Sequence, residues 1–256
     1  MIVRHDGDGL LCISQPDHAA LAATLMAAWR ADGFPDRPTR DRVLTATRQH
    51  DLGWTEEDAV PRLNPDTGAP YDFVSAPVEV RQRLWPRAVD RLAAEDPYVA
   101  ALVAQHALTV YRRFQRDPAW RGFFPALEAR RDDLFADLMA RPAAAGAGAA
   151  GTPANADLTS FLQDYTIVGL GDLLSLVFCN GWPEPYLMEG YRAILRDDCL
   201  TVAPDPFEGA TVDLSVPARR LPAQRYGSQE ALAEAWANST VVTLFGRAVG
   251  APAGSP

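Results

Sequence analysis

Three histidines and one aspartate in this 256-residue chain occupy positions that could bind a metal ion. Each falls on the apolar side of a different segment with helical periodicity, and not on its polar side. A buried ionised carboxylate is costly unless it is paired or coordinates a cation, and one metal ion could satisfy several such groups together. These residues are His18, His50, His106 and Asp172. The sequence therefore predicts a buried site with mixed imidazole and carboxylate ligands.

Asp51 directly follows His50 and adds a fifth candidate ligand. Adjacent residues at the end of a helix point about 100° apart, so the pair could reach one ion from two directions. A mixed imidazole and carboxylate donor set suits divalent Fe, Mn, Zn or Co. We therefore expect one or two divalent metal ions as the cofactor.

The composition excludes several other chemistries. All 24 basic residues are arginine, because the sequence contains no lysine. Schiff-base catalysis and the P-loop phosphate site both need a lysine amine, so neither is compatible with this chain. The formal net charge of −9 repels the phosphate backbone of nucleic acids. We expect a small-molecule substrate and no nucleic-acid partner.

The cysteines and the N-terminal residues indicate a compartment. Cys12, Cys179 and Cys199 are too widely spaced for a disulfide framework or a zinc motif. The first residues lack the apolar run of a signal peptide, and no stretch approaches the length of a membrane span. We expect a cytoplasmic protein with reduced thiols and no membrane partner. Homo-oligomerisation stays open, since no heptad pattern or exposed apolar stripe decides it.

The elements that must position the candidate ligands follow from local patterns. Residues 1–15 are predicted to form a β-hairpin around an Asp-Gly-rich turn. Residues 16–180 have mostly helical periodicity and form the predicted metal-binding core, interrupted by a low-complexity flexible linker at 142–155. Residues 199–250 are rich in β-branched side chains and are predicted to form short antiparallel strands. The chain is predicted to be a single domain over residues 1–256.

A loop rich in Pro, Gly, Asp and Asn over residues 55–77 is predicted to form a lid or wall beside the site. The candidate substrate-binding residues in and near this region, and after His106, are Trp54, Asp58, Tyr71, Phe73 and Arg112. Plainer interpretations stay open for them: Trp54 as a core anchor, the loop aromatics as a clamp, and the arginines as solvated surface.

The order of His18, then His50-Asp51, then Asp172 resembles that of the HD superfamily of metal-dependent phosphohydrolases. This resemblance implies an HD-like helical bundle, so the predicted fold class is mainly α with a small antiparallel β-sheet formed by the N-terminal hairpin and the C-terminal segment. It also implies that these four residues bind the metal, with Asp51 bridging if two ions are present. The implied reaction is attack by a metal-activated water on a phosphate ester.

A closer resemblance is to DUF3891, an uncharacterised bacterial family of HD-like proteins. The matching segments are Met1-Ile2-Val3-Arg4, Gln15-Pro16-Asp17-His18-Ala19, His50-Asp51-Leu52-Gly53-Trp54, Pro70-Tyr71-Asp72-Phe73, His106 and Asp172-Leu173-Leu174-Ser175-Leu176. Phosphate would be bound by arginine, which offers two parallel hydrogen bonds. The candidates near the predicted ligands are Arg48, Arg112 and Arg113. We expect Asp51, His106 and Arg48 to be catalytic.

The chain departs from the two-metal members of the HD superfamily at one point. Those members supply two further histidines between the His-Asp pair and the last aspartate, whereas only His106 lies in that interval here. One metal is therefore favoured, or a second held by water and a carboxylate such as Asp58 or Glu56. Three functions stay open: a phosphohydrolase, an HD-type non-haem diiron oxygenase, and a non-catalytic metal-binding regulatory module.

Overall fold

The computed structural model describes residues 1–140 and 157–254, so the predicted linker at 142–155 lies outside the described residues. Within these ranges there are eight α-helices. They are α1 (Gln15–Ala27), α2 (Arg40–Gln49), α3 (Thr55–Ala59), α4 (Val78–Ala93), α5 (Pro97–Val110), α6 (Phe123–Ala140), α7 (Leu158–Asn180) and α8 (Gln229–Ala237). Short 3₁₀ turns at 34–36, 52–54, 112–114 and 118–120 connect some of them.

The described strands form one seven-stranded sheet. They are β1 (Ile2–Asp6), β2 (Gly9–Ile13), β3 (Tyr186–Met188), β4 (Tyr191–Arg196), β5 (Cys199–Ala203), β6 (Thr211–Pro222) and β7 (Thr240–Gly250). Their order across the sheet is β1-β2-β6-β7-β5-β4-β3. Neighbouring strands are antiparallel except β5 and β7, which run parallel. The sheet curls into a half-barrel.

The predicted fold class, a mainly α bundle with a small antiparallel sheet, is therefore wrong. Helices make up 50% and strands 21% of the structure, and the sheet is large and mixed. The N-terminal hairpin is present, with Ile2 opposite Ile13 and Asp6 opposite Gly9. Its second strand continues into the rest of the sheet by pairing Leu10 with Leu221 of β6.

Local patterns underestimated the sheet for identifiable reasons. β3 and β4 form a hairpin through Glu189 and Gly190, both at positive φ, and the short β3 carries no clear apolar alternation. β6 extends through Arg219 and Arg220, although its buried side chains keep alternating with exposed ones almost to its end. The parallel pairing of β5 with β7 joins segments far apart in the chain, which local periodicity does not encode.

Helix α7 crosses the core against α1 and α2, and a glycine allows this close approach. A Cβ on Gly171 would lie 2.9 Å from both Met26 Cγ of α1 and Thr47 Cγ2 of α2. Gly53 allows a second close approach, because its Cβ would lie 2.6 Å from the Leu84 carbonyl oxygen of α4. These two contacts bring Asp172 and the segment after His50 into the same region of the core.

Helix α1 begins at a capped end next to the site. The Ser14 Oγ accepts a hydrogen bond from the backbone N–H of Asp17 at 3.1 Å, and Pro16 occupies the first turn. This cap fixes the start of the helix, so His18 projects from its first turn.

The expectation that no stretch approaches the length of a membrane span is wrong for α7, the one helix in the described part of the chain that is long and apolar enough to cross a membrane. In the most apolar 18-residue stretch of α7, 61% of the helix is buried inside the molecule. A buried core helix has the same length and composition, and the packing of α7 against α1 and α2 is of that kind.

Candidate metal centre

The structure brings all five predicted ligands together at one place in the core. His18 extends from α1, His50 follows the last residue of α2, His106 lies on α5 and Asp172 on α7. His18 and His50 are fully buried, and the Asp172 side chain is 14% exposed. The donor atoms of His18, His50 and Asp51 lie within 4.8 Å of one another, as do those of His50, His106 and Asp172. His50 is therefore common to two overlapping triads.

Distances between the donor atoms fit one ion. The His18 Nε2 lies 2.7 Å from Asp51 Oδ2 and 3.9 Å from Asp172 Oδ1. The His50 Nε2 lies 3.4 Å from each of the same two oxygens. Two ligands at about 2.1 Å from an ion are about 3 Å apart at right angles and about 4.2 Å apart when opposite. All four distances lie in or near this range, so a single ion could bind these four residues.

Hydrogen bonds behind the cluster hold two imidazoles in the orientation that a metal needs. The His50 Nδ1 donates to the Thr47 carbonyl oxygen at 2.7 Å, so Nε2 is the nitrogen left to bind an ion once it has lost its proton. The His18 Nδ1 lies 2.9 Å from the Ser175 Oγ, whose own hydrogen is donated to the Asp172 carbonyl oxygen at 2.9 Å. When the His18 proton is on Nδ1, the Ser175 Oγ is placed to accept it. Such outer partners fix the tautomer of metal-binding histidines in proteins.

Unpartnered polar atoms also mark the centre as a site for a ligand. The His50 Nε2 and the His106 Nδ1 are fully buried without a hydrogen-bond partner among the described residues. The amide of Gln15 donates to Asp51 Oδ2 at 3.1 Å, while its own oxygen is buried and unpartnered. Buried polar groups are rarely left unpaired, because each costs free energy. A bound ion and its water would satisfy these atoms.

Electrostatics favour a cation between the two carboxylates. Burial opposes protonation of His50, but Asp51 and Asp172 outweigh it and raise its pKa to about 10. Burial also opposes ionisation of both carboxyl groups, yet the neighbouring imidazoles hold their pKa values below the usual range. Burial and the charge on His50 lower the pKa of His106 to about 4. The two carboxylates thus require one positive charge, which the His50 imidazolium supplies when no metal is bound.

A cavity of about 100 Å³ opens beside the cluster. Its polar wall includes Asp51, His106 and Asp172. The remaining lining residues are Gln15, Trp54, Phe73, Val74, Arg81, Trp85, Val110, Tyr111, Arg113 and Leu176. The wall is therefore largely aromatic and aliphatic, with polar groups at a few positions, as in typical small-molecule sites.

The structure places two of the predicted substrate-binding residues in this cavity, namely Trp54 and Phe73. Tyr71 and Asp58 instead line a neighbouring pocket. Asp58 is occupied there, because its carboxylate accepts from the Met1 amino group and from the Gln15 backbone N–H, each at 2.6 Å.

The remaining charged candidates lie on the surface. Arg48 and Arg112 are exposed and are not among the residues that line the cavity, whereas Arg113 is. Glu56 pairs with Arg87 and Arg91 on the surface. Neither Asp58 nor Glu56 is therefore placed to hold a second ion.

Several residues of the site were not predicted from the sequence. The sequence did contain a signal for three of them, Gln15, Thr47 and Ser175. Each lies three positions from a predicted ligand, and residues three apart lie on the same face of a helix. Arg81 and Trp85 on α4 gave no such signal. Their helix has the pattern of an arginine-rich surface helix, and only the fold turns this pair towards the cavity.

Comparison with known proteins gives one result. No curated protein and no solved structure matches the chain. A family model described as a protein of unknown function, DUF3891, matches residues 1–223. Because this match covers most of the 256 residues, the chain belongs to the DUF3891 family.

Proposed function

We propose that this protein is a metal-dependent hydrolase of the HD type that cleaves a phosphate ester of a small metabolite or nucleotide. The observation that carries the proposal is the meeting of three imidazoles and two carboxylates at the wall of a cavity that is open on one side. The order of these ligands along the chain supports membership of the HD superfamily. A hydrolase needs both an ion and a space beside it for substrate, and the described residues offer both.

His18, His50, Asp51 and Asp172 are the residues that would hold the ion. When bound, a divalent ion with an open position supplies a water of lowered pKa and polarises a phosphoryl oxygen. Gln15 orients the Asp51 carboxylate, and Thr47 and Ser175 hold the imidazoles.

His106 has a separate role in the proposal. It lines the cavity with its pKa lowered to about 4, so it is neutral near pH 7. A neutral imidazole at the cavity wall can accept a proton or add a further ligand. Trp54, Phe73 and Trp85 form the aromatic part of the cavity wall around it.

One ion is favoured over two. Among residues 1–140 and 157–254, the groups that could hold a metal contain only these five donors, and the two triads share His50. A bridged pair of ions bound in the usual way would need more imidazoles. The donor count thus supports a hydrolase over a diiron oxygenase. The three cysteines are free thiols, which supports our proposal of a cytoplasmic location.

Hydrolysis of phosphomonoesters and phosphodiesters, assayed with Mn, Fe, Co and Zn in turn, tests the proposal. We expect turnover with at least one metal and its loss in Asp51→Ala. Asp164→Asn is the matched control, since Asp164 is a buried aspartate of α7 that pairs with Arg37 away from the cavity.

Two results would contradict the proposal. Absence of turnover with every ester and metal would favour a non-catalytic module. A dinuclear iron centre that activates oxygen would favour the oxygenase.

A further inference from the structure

We propose that Arg81 binds the anionic group of the substrate, and that this substrate is a small anion, a phosphate or a carboxylate, with a planar or apolar body. The inference deepens the proposed function, because it assigns a ligand class to the cavity beside the metal centre. Only the identity of the substrate group that reacts depends on the proposed function. The binding of an anion at Arg81 can be tested separately.

Arg81 is a buried cation that has no carboxylate partner among the described residues. The residue is 8% exposed and lines the cavity. Its Nε is fully buried without a hydrogen bond, and within residues 1–140 and 157–254 no carboxylate oxygen lies within 4.0 Å of its guanidinium. A buried charge without a counter-ion is strongly unfavourable, so residues of this kind are normally paired. A bound anion would provide the missing partner.

The other arginines of the same helix show that pairing is the rule on α4. Arg83 pairs with Glu57 at 2.5 Å, Arg87 with Glu56 at 2.8 Å and Arg91 with Glu56 at 2.6 Å. These three arginines are more exposed than Arg81, and their pairs lie on the surface. The one α4 arginine that enters the interior is thus the one without a carboxylate among the described residues.

Aromatic rings hold the Arg81 guanidinium in place without satisfying its donors. Its Cζ lies 5.9 Å from the centre of the Tyr111 ring, 5.3 Å from that of Phe114 and 5.5 Å from that of Trp120. Cation–π contacts of this kind attract the charge through the ring faces. They do not supply the in-plane acceptors that the five N–H groups require. The guanidinium is thus oriented and still able to form two parallel bonds to a phosphate or carboxylate.

An aromatic surface connects Arg81 with the metal centre. Trp85 lies one helical turn after Arg81, about 6 Å further along the α4 axis. The Trp85 ring lies 5.8 Å from that of His106 and 5.9 Å from that of Tyr111. Both aromatic residues line the same cavity as Arg81. A ligand with its anionic group at Arg81 would therefore place a planar or apolar body on Trp85 and Tyr111, with its far end near His106.

Binding of two stable aromatic anions, phenylphosphonate and benzoate, tests the inference. Calorimetric titration would be done on the full chain as purified and again after treatment with a chelator. We expect at least one of the two anions to bind in both states, and the preferred one identifies the phosphate or the carboxylate. Arg81→Gln should weaken that binding by about 10-fold or more, because a charge-assisted pair is removed.

Arg83→Gln is the matched control, because Arg83 lies on the same helix and pairs with Glu57 on the surface. Its affinity for the anions should stay within about twofold of that of the wild type. Arg81→Lys keeps the charge but not the planar guanidinium, so its affinity should lie between those of the wild type and Arg81→Gln. Wild-type affinity in Arg81→Gln, or no binding of either anion to the wild type, would overturn the inference.

Two further results separate this inference from the proposed hydrolase. Anion binding that depends on Arg81 in a protein without turnover would uphold the inference and contradict the hydrolase. If Arg81→Gln changes neither turnover nor anion binding, the hydrolase is upheld and the inference about Arg81 is contradicted. If Arg81→Gln does not fold, the Nε–H resonance of Arg81 in the wild type decides instead. Its shift on titration with the anion supports the inference, and no shift at saturation contradicts it.

Discussion

Replacing Ser175 with alanine would remove the outer partner of His18 and should weaken metal binding. In the metal-bound form His18 must use its Nε2 lone pair, so its proton sits on Nδ1, where the Ser175 Oγ accepts it at 2.9 Å. In the metal-free form His18 can instead keep the proton on Nε2 and donate it to Asp51 at 2.7 Å. The loss of Ser175 therefore penalises mainly the metal-bound form.

The size of this effect follows from the burial of the pair. Ser175 and His18 are both fully buried, so water cannot replace the lost acceptor. A buried N–H without a partner costs about 1–3 kcal/mol, which corresponds to roughly 5- to 150-fold in affinity. Removal of an outer partner of a metal ligand typically costs about 10- to 100-fold. We expect Ser175→Ala to weaken metal affinity by about 10- to 100-fold.

Competition with a chromophoric chelator would measure the affinity of both proteins for Zn or Mn. Thr166→Ala is the matched control, since Thr166 is also on α7 and also donates its hydroxyl to a helix carbonyl, that of Leu162, but contacts no predicted ligand. The control should bind metal as the wild type does. A folded Ser175→Ala protein with metal affinity within about twofold of the wild type would refute the assigned role of Ser175.

Three further changes probe the fold and charge of the centre. Gly171→Ala should lower the free energy of unfolding by about 1–3 kcal/mol in a denaturant titration and reduce bound metal, because the added Cβ has no room. Gly122→Ala is the control: its Cβ would have no atom within 4 Å, so the free energy of unfolding should change by less than about 0.5 kcal/mol. Asp164→Asn should lower stability by about 1–3 kcal/mol by weakening the partly buried pair with Arg37, yet leave metal content unchanged in elemental analysis. Since the pKa of metal-free His50 is raised to about 10, its stabilising contribution is full below about pH 6.5 and is lost as pH rises towards 10. Metal binding must displace this proton, so calorimetry in buffers of different ionisation enthalpy should show about one proton released per ion near pH 7.5, and no release would contradict the charge assignment.

The inward position of the candidate ligands was predictable because burial of a polar residue changes the pattern of apolar positions along a helix. His18, His106 and Asp172 each occupy a position where the helical pattern calls for an apolar side chain, and the fold brings these positions together. The choice of candidate metal ligands depends on side-chain type and inward direction, and a sequence contains both.

The cavity was less predictable because it is formed by elements distant in the chain. Arg48 is close to His50 in sequence but lies on the exposed side of α2, whereas Arg81 comes from α4. Sequence proximity to a ligand does not decide which arginine enters the interior. Packing of α4 against α5 and against the turn at Gly53 decides it, and that packing is a property of the whole fold.

The size of the sheet was missed for a related reason. Helical periodicity is local and strong, while strand pairing depends on partners elsewhere in the chain. β6 pairs on one side with β2 from the N-terminal hairpin and on the other with β7. β2 and β7 lie far apart in the sequence, so their membership of one sheet becomes apparent only in the folded chain.

Metal content of the purified native chain tests the central claim most directly. Elemental analysis of the wild type, His50→Ala, Asp51→Ala and the Asp164→Asn control would be compared at equal protein concentration. We predict about one divalent ion per chain in the wild type and in Asp164→Asn, and almost none in His50→Ala and Asp51→Ala. Unchanged metal content in both folded ligand variants would contradict the assigned metal centre.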